Sequence, residues 1–248
     1  GPIPDAEFAA AGRRANVTIT DVRRPKAKKD LTMFTGRIFD VACPRVAVLG
    51  TDGDVGKRTT ATLLVRALNE RGVRAVLVGT GQTTLIQGAK YGVALDAITP
   101  QFCSGEVEAQ VVAAFAGEQP DVIVVEGQGA LSHPAYLSST AILRGSRPQA
   151  VIVQHAPKRV MLGDYPRLKT PTVRSEIALI EAFADTQVIG VTLNHEGMVP
   201  GEIDSVIDVY TRELGLPTTD PLTRPISDLA DIILGAFPAL IASATRAA

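Results

Sequence analysis

From residue 45 onward, the chain alternates short apolar runs with longer stretches in which apolar residues recur at helical spacing. Short apolar runs between turn residues are typical of buried strands, and the longer period is typical of helices. The apolar runs predict strands over 46–49, 75–78, 122–125, 150–153 and 188–193. The helical spacing predicts helices over 59–71, 105–116, 138–144, 173–184, 201–214 and 227–242. This alternation predicts an α/β fold, a mostly parallel sheet flanked by helices on both faces.

Residues 1–44 lack this alternation. Their pattern predicts an early helical fragment, short strands over 17–22 and 35–39, and a basic linker between the two strands. We therefore predict two units: an N-terminal appendage over 1–44 and the α/β domain over 45–248. The short strands of the appendage need a surface to cover them, which favours a homo-oligomer.

Composition narrows the class of protein. The 248 residues are 46% hydrophobic and carry a net charge of −1, which is typical of an ordinary soluble protein. No apolar run is long enough to span a bilayer and no signal sequence begins the chain, so we expect a cytoplasmic protein without a membrane partner. Cys43 and Cys103 lack metal-ligand spacing. The basic residues of the appendage are too few and too interrupted to predict a nucleic-acid partner.

The most informative stretch joins the first predicted strand to the following helix. It contains three glycines that let the backbone approach an anion, followed by a lysine and the start of a helix, whose free N–H groups favour negative charge. This context is typical of a phosphate-binding P-loop. The predicted cofactor-binding residues are Gly50, Thr51, Asp52, Gly53, Asp54, Val55, Gly56, Lys57, Arg58, Thr59 and Thr60.

The residue after the lysine makes this loop a variant, and so do the five residues between Gly50 and Gly56, one more than the common spacing. In nucleotide hydrolases the residue after the lysine is Ser or Thr, which binds magnesium, but here it is Arg58. Thr59 must then substitute as a magnesium ligand, or no metal binds there. Asp52 and Asp54 are unexpected beside phosphate, and we expect them either to point towards magnesium or a substrate amine, or to cap the helix.

The loops after the second and third predicted strands carry small and polar groups at the edge of the sheet where ligands gather. Glu126 ends the third strand and is the predicted general base or magnesium-orienting carboxylate. His133, in the same loop, and His155, after the fourth strand, are further catalytic candidates or structural histidines. His195 follows the fifth strand, so all three are expected at one edge. Predicted substrate-binding residues of these loops are Thr80, Gly81, Gln82, Thr83, Gly127, Gln128 and Gly129.

Residues 158–172 show no clear periodicity and carry four cations, two prolines and a tyrosine. This composition is typical either of a lid or anion-recognising arm, or of a solvated connection. In the first case Arg159 and Arg167 are predicted to bind substrate carboxylates.

The sequence from Gly50 to Lys57 resembles the phosphate loop of dethiobiotin synthetase and its P-loop relatives. More of the chain, about residues 16–235, resembles a bacterial domain-of-unknown-function family whose known members include D-glutamate N-acetyltransferases. The ordered motifs that carry this resemblance are Thr80-Gly81-Gln82-Thr83, Val125-Glu126-Gly127-Gln128-Gly129, His133-Pro134-Ala135-Tyr136, His155, 190–194, 215–217 and 220–221. Family members have a further Rossmann-like domain upstream, which implies that residues 1–44 are its remnant. The Gly1-Pro2 pair is typical of a protease-cleavage scar.

The resemblance implies an acetyl-CoA-dependent N-acetyltransferase acting on a small amino acid such as D-glutamate. The phosphate loop would hold the phosphates of the cofactor without metal, and Glu126 or His133 would act as the base. Gly53-Asp54 and Arg58 depart from the family pattern, which leaves the acceptor and the reaction open. The alternatives are an ATP- and Mg²⁺-dependent kinase or ligase of dethiobiotin synthetase type, with Thr59 and Glu126 at the metal, and a non-catalytic nucleotide sensor.

Overall fold

Nine strands form two sheets in the computed structural model, which describes residues 5–244. Seven of them build one parallel sheet: β1 (Arg45–Gly50), β2 (Ala75–Gly79), β3 (Tyr91–Gly92), β4 (Val122–Glu126), β5 (Ala150–His155), β8 (Gln187–Leu193) and β9 (Thr218–Thr219). Their order across the sheet is β3-β2-β4-β1-β5-β8-β9. The remaining two, β6 (Met161–Leu162) and β7 (Tyr165–Lys169), pair as a separate antiparallel hairpin. The predicted parallel α/β fold is therefore confirmed.

Helices cover both faces of the sheet because its central strands are apolar on both faces. In β1, Val46 and Val48 pack into one core with α2 and α8, whereas Ala47 and Leu49 face the core formed with α4, α5 and α6. The helices are α1 (Asp5–Ala15), α2 (Lys57–Glu70), α3 (Gln82–Ile86), α4 (Pro100–Glu118), α5 (Ser138–Ser146), α6 (Val173–Phe183), α7 (Ile203–Leu214), α8 (Ser227–Ala236) and α9 (Ala239–Ala244).

The segment before β1 is held on α4 by two buried carboxylates. Glu108 accepts hydrogen bonds from the backbone N–H groups of Thr35 (2.6 Å) and Ile38 (3.1 Å), and Glu106 accepts one from Thr32 (2.7 Å). These side-chain acceptors replace the neighbouring strand that a β-segment would need, so the prediction of a strand over 35–39 is wrong. A 3-10 turn (Arg37–Asp40) lies there instead, and Ile38 is buried in the main core.

Two further sequence predictions also differ from the structure. Residues 17–22 form no strand, because the Asp21 carboxylate accepts a hydrogen bond from the Arg23 N–H (3.0 Å) and turns the chain. The helix expected over 227–242 is interrupted after α8, where Pro238 has no N–H to donate and restricts Phe237. Across residues 5–244, no helix offers the length and apolarity of a membrane span. The Gly1-Pro2 pair lies outside the described residues.

Candidate functional site

The phosphate loop runs from the end of β1 to the start of α2, in the place that its sequence predicts. Gly50 is required there, because a Cβ atom would lie 2.7 Å from the carbonyl oxygen of Gln154 on the neighbouring strand. Gly56 adopts φ +107°, a conformation that L side chains rarely take. The glycines therefore shape the loop for close contact with a ligand.

Lys57 is the central cation of the loop. It is 5% exposed, and its Nζ donates a hydrogen bond to the main-chain oxygen of Asp52. Burial lowers the pKa of Lys57 to about 8, although the carboxylates of Asp52, Asp54 and Glu126 oppose the shift. Lys57 therefore titrates within the accessible pH range. A ligand oxygen can replace the main-chain oxygen of Asp52 as its hydrogen-bond partner.

The Asp52 carboxylate points away from the ligand face of the loop. It accepts hydrogen bonds from the backbone N–H groups of Gly53 (2.7 Å) and Gly163 (2.9 Å) and from Arg159 Nη1 (3.1 Å). Asp52 therefore ties the phosphate loop to the β6–β7 hairpin, a role that neither sequence interpretation predicted. The capping interpretation is wrong, since Gly56 caps α2 and no side chain bonds there.

Glu126 stands at the end of β4, directly beside β1. Its Oε2 accepts hydrogen bonds from the N–H groups of Thr80 (3.0 Å) and Gly81 (3.3 Å), and the Thr80 hydroxyl donates to the main-chain oxygen of Glu126 (2.9 Å). Gln128 Nε2 in turn donates to the Thr80 hydroxyl (2.8 Å). The loops after β2 and β4 therefore form one hydrogen-bonded unit that fixes the orientation of the carboxylate.

These parts meet in a cavity of about 480 Å³ at the carboxyl edge of the sheet, where ligands of such sheets bind. It brings the phosphate loop together with the loops after β2 and β4, as the sequence predicts. Its lining comprises Gly53, Asp54, Gly56, Lys57, Arg58, Thr59, Gly81, Gln82, Thr83, Asp96, Glu126, Gly127, Gln128, Gly129 and Tyr136.

None of the three histidines lines this cavity, although His155 and His195 lie at the expected edge. Both ring nitrogens of His155 have partners, the Thr51 hydroxyl (2.8 Å) and the Tyr210 hydroxyl (3.0 Å). His195 Nδ1 lies 2.7 Å from an Asp220 carboxylate oxygen. His155 therefore supports the phosphate loop from beneath and has no face towards a ligand.

Burial gives His155 a pH-dependent effect on stability. Its pKa falls from the ordinary value of 6.5 to about 4, because the charged ring is desolvated. The unfolded chain binds a proton below pH 6.5 and the folded chain does not, so stability is lost as pH falls from 6.5 towards 4. We expect His155→Gln to remove about 2 kcal/mol of this acid sensitivity between pH 7.5 and 5. Urea unfolding of the wild type and the variant at pH 7.5 and 5 measures the change in the free energy of unfolding. Equal losses in the two proteins would show that His155 does not cause the acid sensitivity.

His133 lies behind the wall of the cavity. Its side chain is fully buried, its Nδ1 accepts from the Ala135 N–H (3.2 Å), and its Nε2 lies 3.8 Å from an Asp52 carboxylate oxygen. Its ring centroid is 4.3 Å from that of Tyr136, which separates it from the ligand space. The position suits a support for Tyr136 and Asp52.

Tyr136 and Asp96 are cavity residues that sequence reasoning did not select. The Tyr136 hydroxyl bonds the Asp164 carboxylate at the hairpin tip, which raises the pKa of Tyr136 to about 12. A Cβ atom on Gly129 would lie 2.5 Å from the Tyr136 ring, so glycine is needed there. The motif around His133 offered a signal for Tyr136. Asp96 is paired with Arg23 (2.8 Å), a contact with no local sequence signal.

The two arginines expected to bind substrate lie outside the cavity lining. Arg159 Nη1 donates to the Gly53 carbonyl oxygen (2.7 Å), and its Nη2 donates to the Glu196 carboxylate (2.6 Å). Arg167 is exposed on β7. Arg159 thus joins the phosphate loop to the loop after β8.

Comparison with known proteins places this architecture in a family. The family described as "Domain of unknown function (DUF1611_C) P-loop domain" matches residues 32–230. A protein of Pseudoalteromonas sp. named D-glutamate N-acetyltransferase is 30% identical over 230 residues, covering 90% of this chain and 67% of that protein. One from Tritonibacter scottomollicae with the same name is 28% identical, covering 92% and 68% of the two chains.

A solved structure shares both sequence and fold with this chain. It is a DUF1611 family protein from Anabaena variabilis ATCC 29413, 28% identical, with a TM-score of 0.83 over 95% of this chain and 77% of that one. The family match covers most of the chain, including every residue that lines the cavity. The chain therefore belongs to the DUF1611 family and carries its P-loop domain.

Proposed function

We propose that the protein is an acetyl-CoA-dependent N-acetyltransferase that acts on a small amino acid resembling D-glutamate. One observation carries the proposal: a single cavity contains both a phosphate-binding loop with Lys57 and a fixed carboxylate, Glu126. The names of the relatives supply the reaction class, D-glutamate N-acetyltransferase. The phosphate loop suits the diphosphate or 3′-phosphate of coenzyme A.

Each step of acetyl transfer has a residue of the cavity to assist it. Lys57 and Arg58 hold the cofactor phosphates, and the cofactor supplies a thioester carbonyl as the electrophile. Glu126 accepts a proton from the acceptor ammonium group, so that the amine lone pair can form the new C–N bond. The backbone N–H groups of residues 127–129 stabilise the negative charge on the carbonyl oxygen. The C–S bond would then break, and the thiolate would take the second proton of the attacking nitrogen and leave as the free thiol.

The second candidate is an ATP- and Mg²⁺-dependent kinase or ligase. It is favoured by Thr59 and Glu126, which line the same cavity beside Lys57. A nucleotide-binding protein from Archaeoglobus fulgidus in complex with ADP shares the fold at 13% identity and a TM-score of 0.52. Within the described residues, no group of three His, Cys, Asp or Glu side chains could hold a metal. Magnesium would therefore have to share its ligands with nucleotide phosphates.

Ligand-dependent melting separates the two candidates, because a ligand that binds the folded state raises the melting temperature. We expect acetyl-CoA and coenzyme A to stabilise the protein in the presence of EDTA. Free-thiol release that depends on D-glutamate should then follow acetyl transfer. Stabilisation by ATP plus Mg²⁺ alone, with ADP formed in the presence of a carboxylate or amine substrate, would replace the first candidate by the second.

A further inference from the structure

A second cleft, of about 180 Å³, lies near the C-terminal end of α5. This end of the helix leads into the start of β5, so the cleft is at the amino edge of the sheet, opposite the phosphate cavity. It is lined by Leu143, Arg144, Arg147, Pro148, Phe183, Ala184 and Asp185. We call it the arginine cleft.

Each arginine of the cleft makes a cation–π contact with an aromatic ring. The guanidinium carbon of Arg144 lies 5.1 Å from the ring centroid of Phe183, and that of Arg147 lies 5.1 Å from the ring centroid of Phe39. Neither arginine takes part in an ion pair with another residue of the described chain. Stacking restricts the side chains while it leaves the N–H groups of the guanidinium edge available to a planar anion.

A third guanidinium adds positive charge beneath the cleft. Arg45 is 7% exposed, and it donates only to carbonyl oxygens, including those of Ser146 (2.9 Å) and Val41 (2.8 Å). Burial lowers the pKa of Arg45, Cys43 opposes this shift, and the nearby charge of Arg147 lowers the pKa further. Asp185 is the one carboxylate among the residues that line the cleft. The cleft therefore carries an excess of positive charge.

The backbone of Arg147 is in an unfavourable conformation. With φ +40° it ends α5 in the left-handed region, and its N–H bonds the Leu143 carbonyl oxygen (3.1 Å). Glycine usually occupies this position of a helix end, because a Cβ atom is strained there. An arginine at this position thus costs stability that a glycine would not, which points to a use for its side chain.

We propose that the arginine cleft binds a small dicarboxylate, with Arg144 and Arg147 each pairing with one carboxylate group. Planar guanidinium groups match carboxylates through paired hydrogen bonds. Asp185 complements an ammonium group, so an amino dicarboxylate such as D-glutamate binds more tightly than glutarate, which lacks the amine. This site is independent of the phosphate cavity and of the reaction proposed for it.

Calorimetric titration of the full chain with glutarate at low ionic strength tests the site. We expect the double variant Arg144→Gln/Arg147→Gln to bind at least tenfold more weakly than the wild type. Lys57→Ala and the matched control Arg66→Gln, an exposed arginine of α2, should keep the wild-type affinity. Equal affinity in the wild type and the double variant would overturn the proposal, as would loss of binding in Lys57→Ala alone.

Two single variants sharpen the test. Arg147→Gly should raise the melting temperature, since it relieves the left-handed backbone, and should weaken glutarate binding at the same time. A lowered melting temperature with unchanged affinity would overturn the role of Arg147. The comparison uses only the part of the binding heat that the double variant Arg144→Gln/Arg147→Gln loses. In this part, Asp185→Asn should abolish the preference for D-glutamate over glutarate. An unchanged preference would overturn the role assigned to Asp185.

Discussion

Replacing Lys57 with alanine is expected to weaken the binding of acetyl-CoA and coenzyme A by roughly 100-fold, since it removes a buried, charge-assisted contact to phosphate. Lys57 is 5% exposed at the centre of the phosphate loop, where its Nζ has a main-chain oxygen as its partner. A phosphate oxygen that takes over this hydrogen bond would also gain the charge of the ammonium group. Isothermal titration with coenzyme A measures the loss directly.

The control for this variant is Lys158→Ala, which removes a lysine from the surface. Lys158 is half exposed and pairs with Glu202 (3.2 Å), outside the lining of the cavity. Its loss should leave the affinity for coenzyme A within about twofold of the wild type, as expected for an exposed ion pair. Equal affinities of the wild type and Lys57→Ala would show that the loop does not hold the cofactor phosphates.

The lowered pKa of Lys57 adds a pH test. The ammonium form binds phosphate, and the pKa of about 8 in the free protein means that this form is lost above pH 8. We expect the affinity of the wild type for coenzyme A to fall by up to tenfold per pH unit between pH 8 and 9.5. The affinity of Lys57→Ala should stay flat over this range. A flat profile for the wild type would mean that Lys57 is not the titrating group.

Local signals in the sequence were enough to locate the phosphate loop. Its glycines, lysine and flanking apolar run are contiguous. The same holds for the five longer strands of the parallel sheet, which their apolar runs identify. The strands β3 and β9, two residues each, have too few positions to show a pattern. They are stabilised by neighbours in the sheet, which a local pattern does not encode.

The role of Asp52 shows what local signals could not give. Its partner Gly163 lies 111 residues away along the chain, so the contact between them exists only once the hairpin has folded against the loop. Local sequence places a carboxylate inside a phosphate loop only by its neighbours, and so predicts that it faces magnesium or a substrate amine, or that it caps the helix. The same limitation applied to Arg159, whose cationic side chain suggested substrate binding but is used to join Gly53 and Glu196.

Two glycines of the loop after β4 have both a predicted role and a packing role. The sequence predicts that Gly127 and Gly129 bind substrate, and the structure adds a packing reason for each. A Cβ atom on Gly127 would lie 2.2 Å from the Val48 carbonyl oxygen, and one on Gly129 would strike the Tyr136 ring. The loop after β4 therefore passes close to β1, and this close approach brings Glu126 and Lys57 into one cavity.

Changing Glu126 to glutamine is expected to lower kcat for D-glutamate acetylation by about 10²- to 10⁴-fold while KM for acetyl-CoA changes little. The amide keeps an oxygen that can accept the hydrogen bonds from the N–H groups of Thr80 and Gly81. The loop should therefore remain in place, and the loss reports the missing proton acceptor. Steady-state kinetics with detection of the released thiol give both constants.

Two further variants determine whether Glu126 is the base. Glu118→Gln changes an exposed carboxylate that pairs with Lys90 and should retain wild-type kcat. His133→Gln removes the other predicted base, which lies behind Tyr136, and its effect on kcat should be smaller than that of Glu126→Gln because no face of the ring reaches the cavity. If His133→Gln abolished turnover and Glu126→Gln retained it, the proton would have to leave through the imidazole. Tyr136 would then have to move for the acceptor amine to reach that ring.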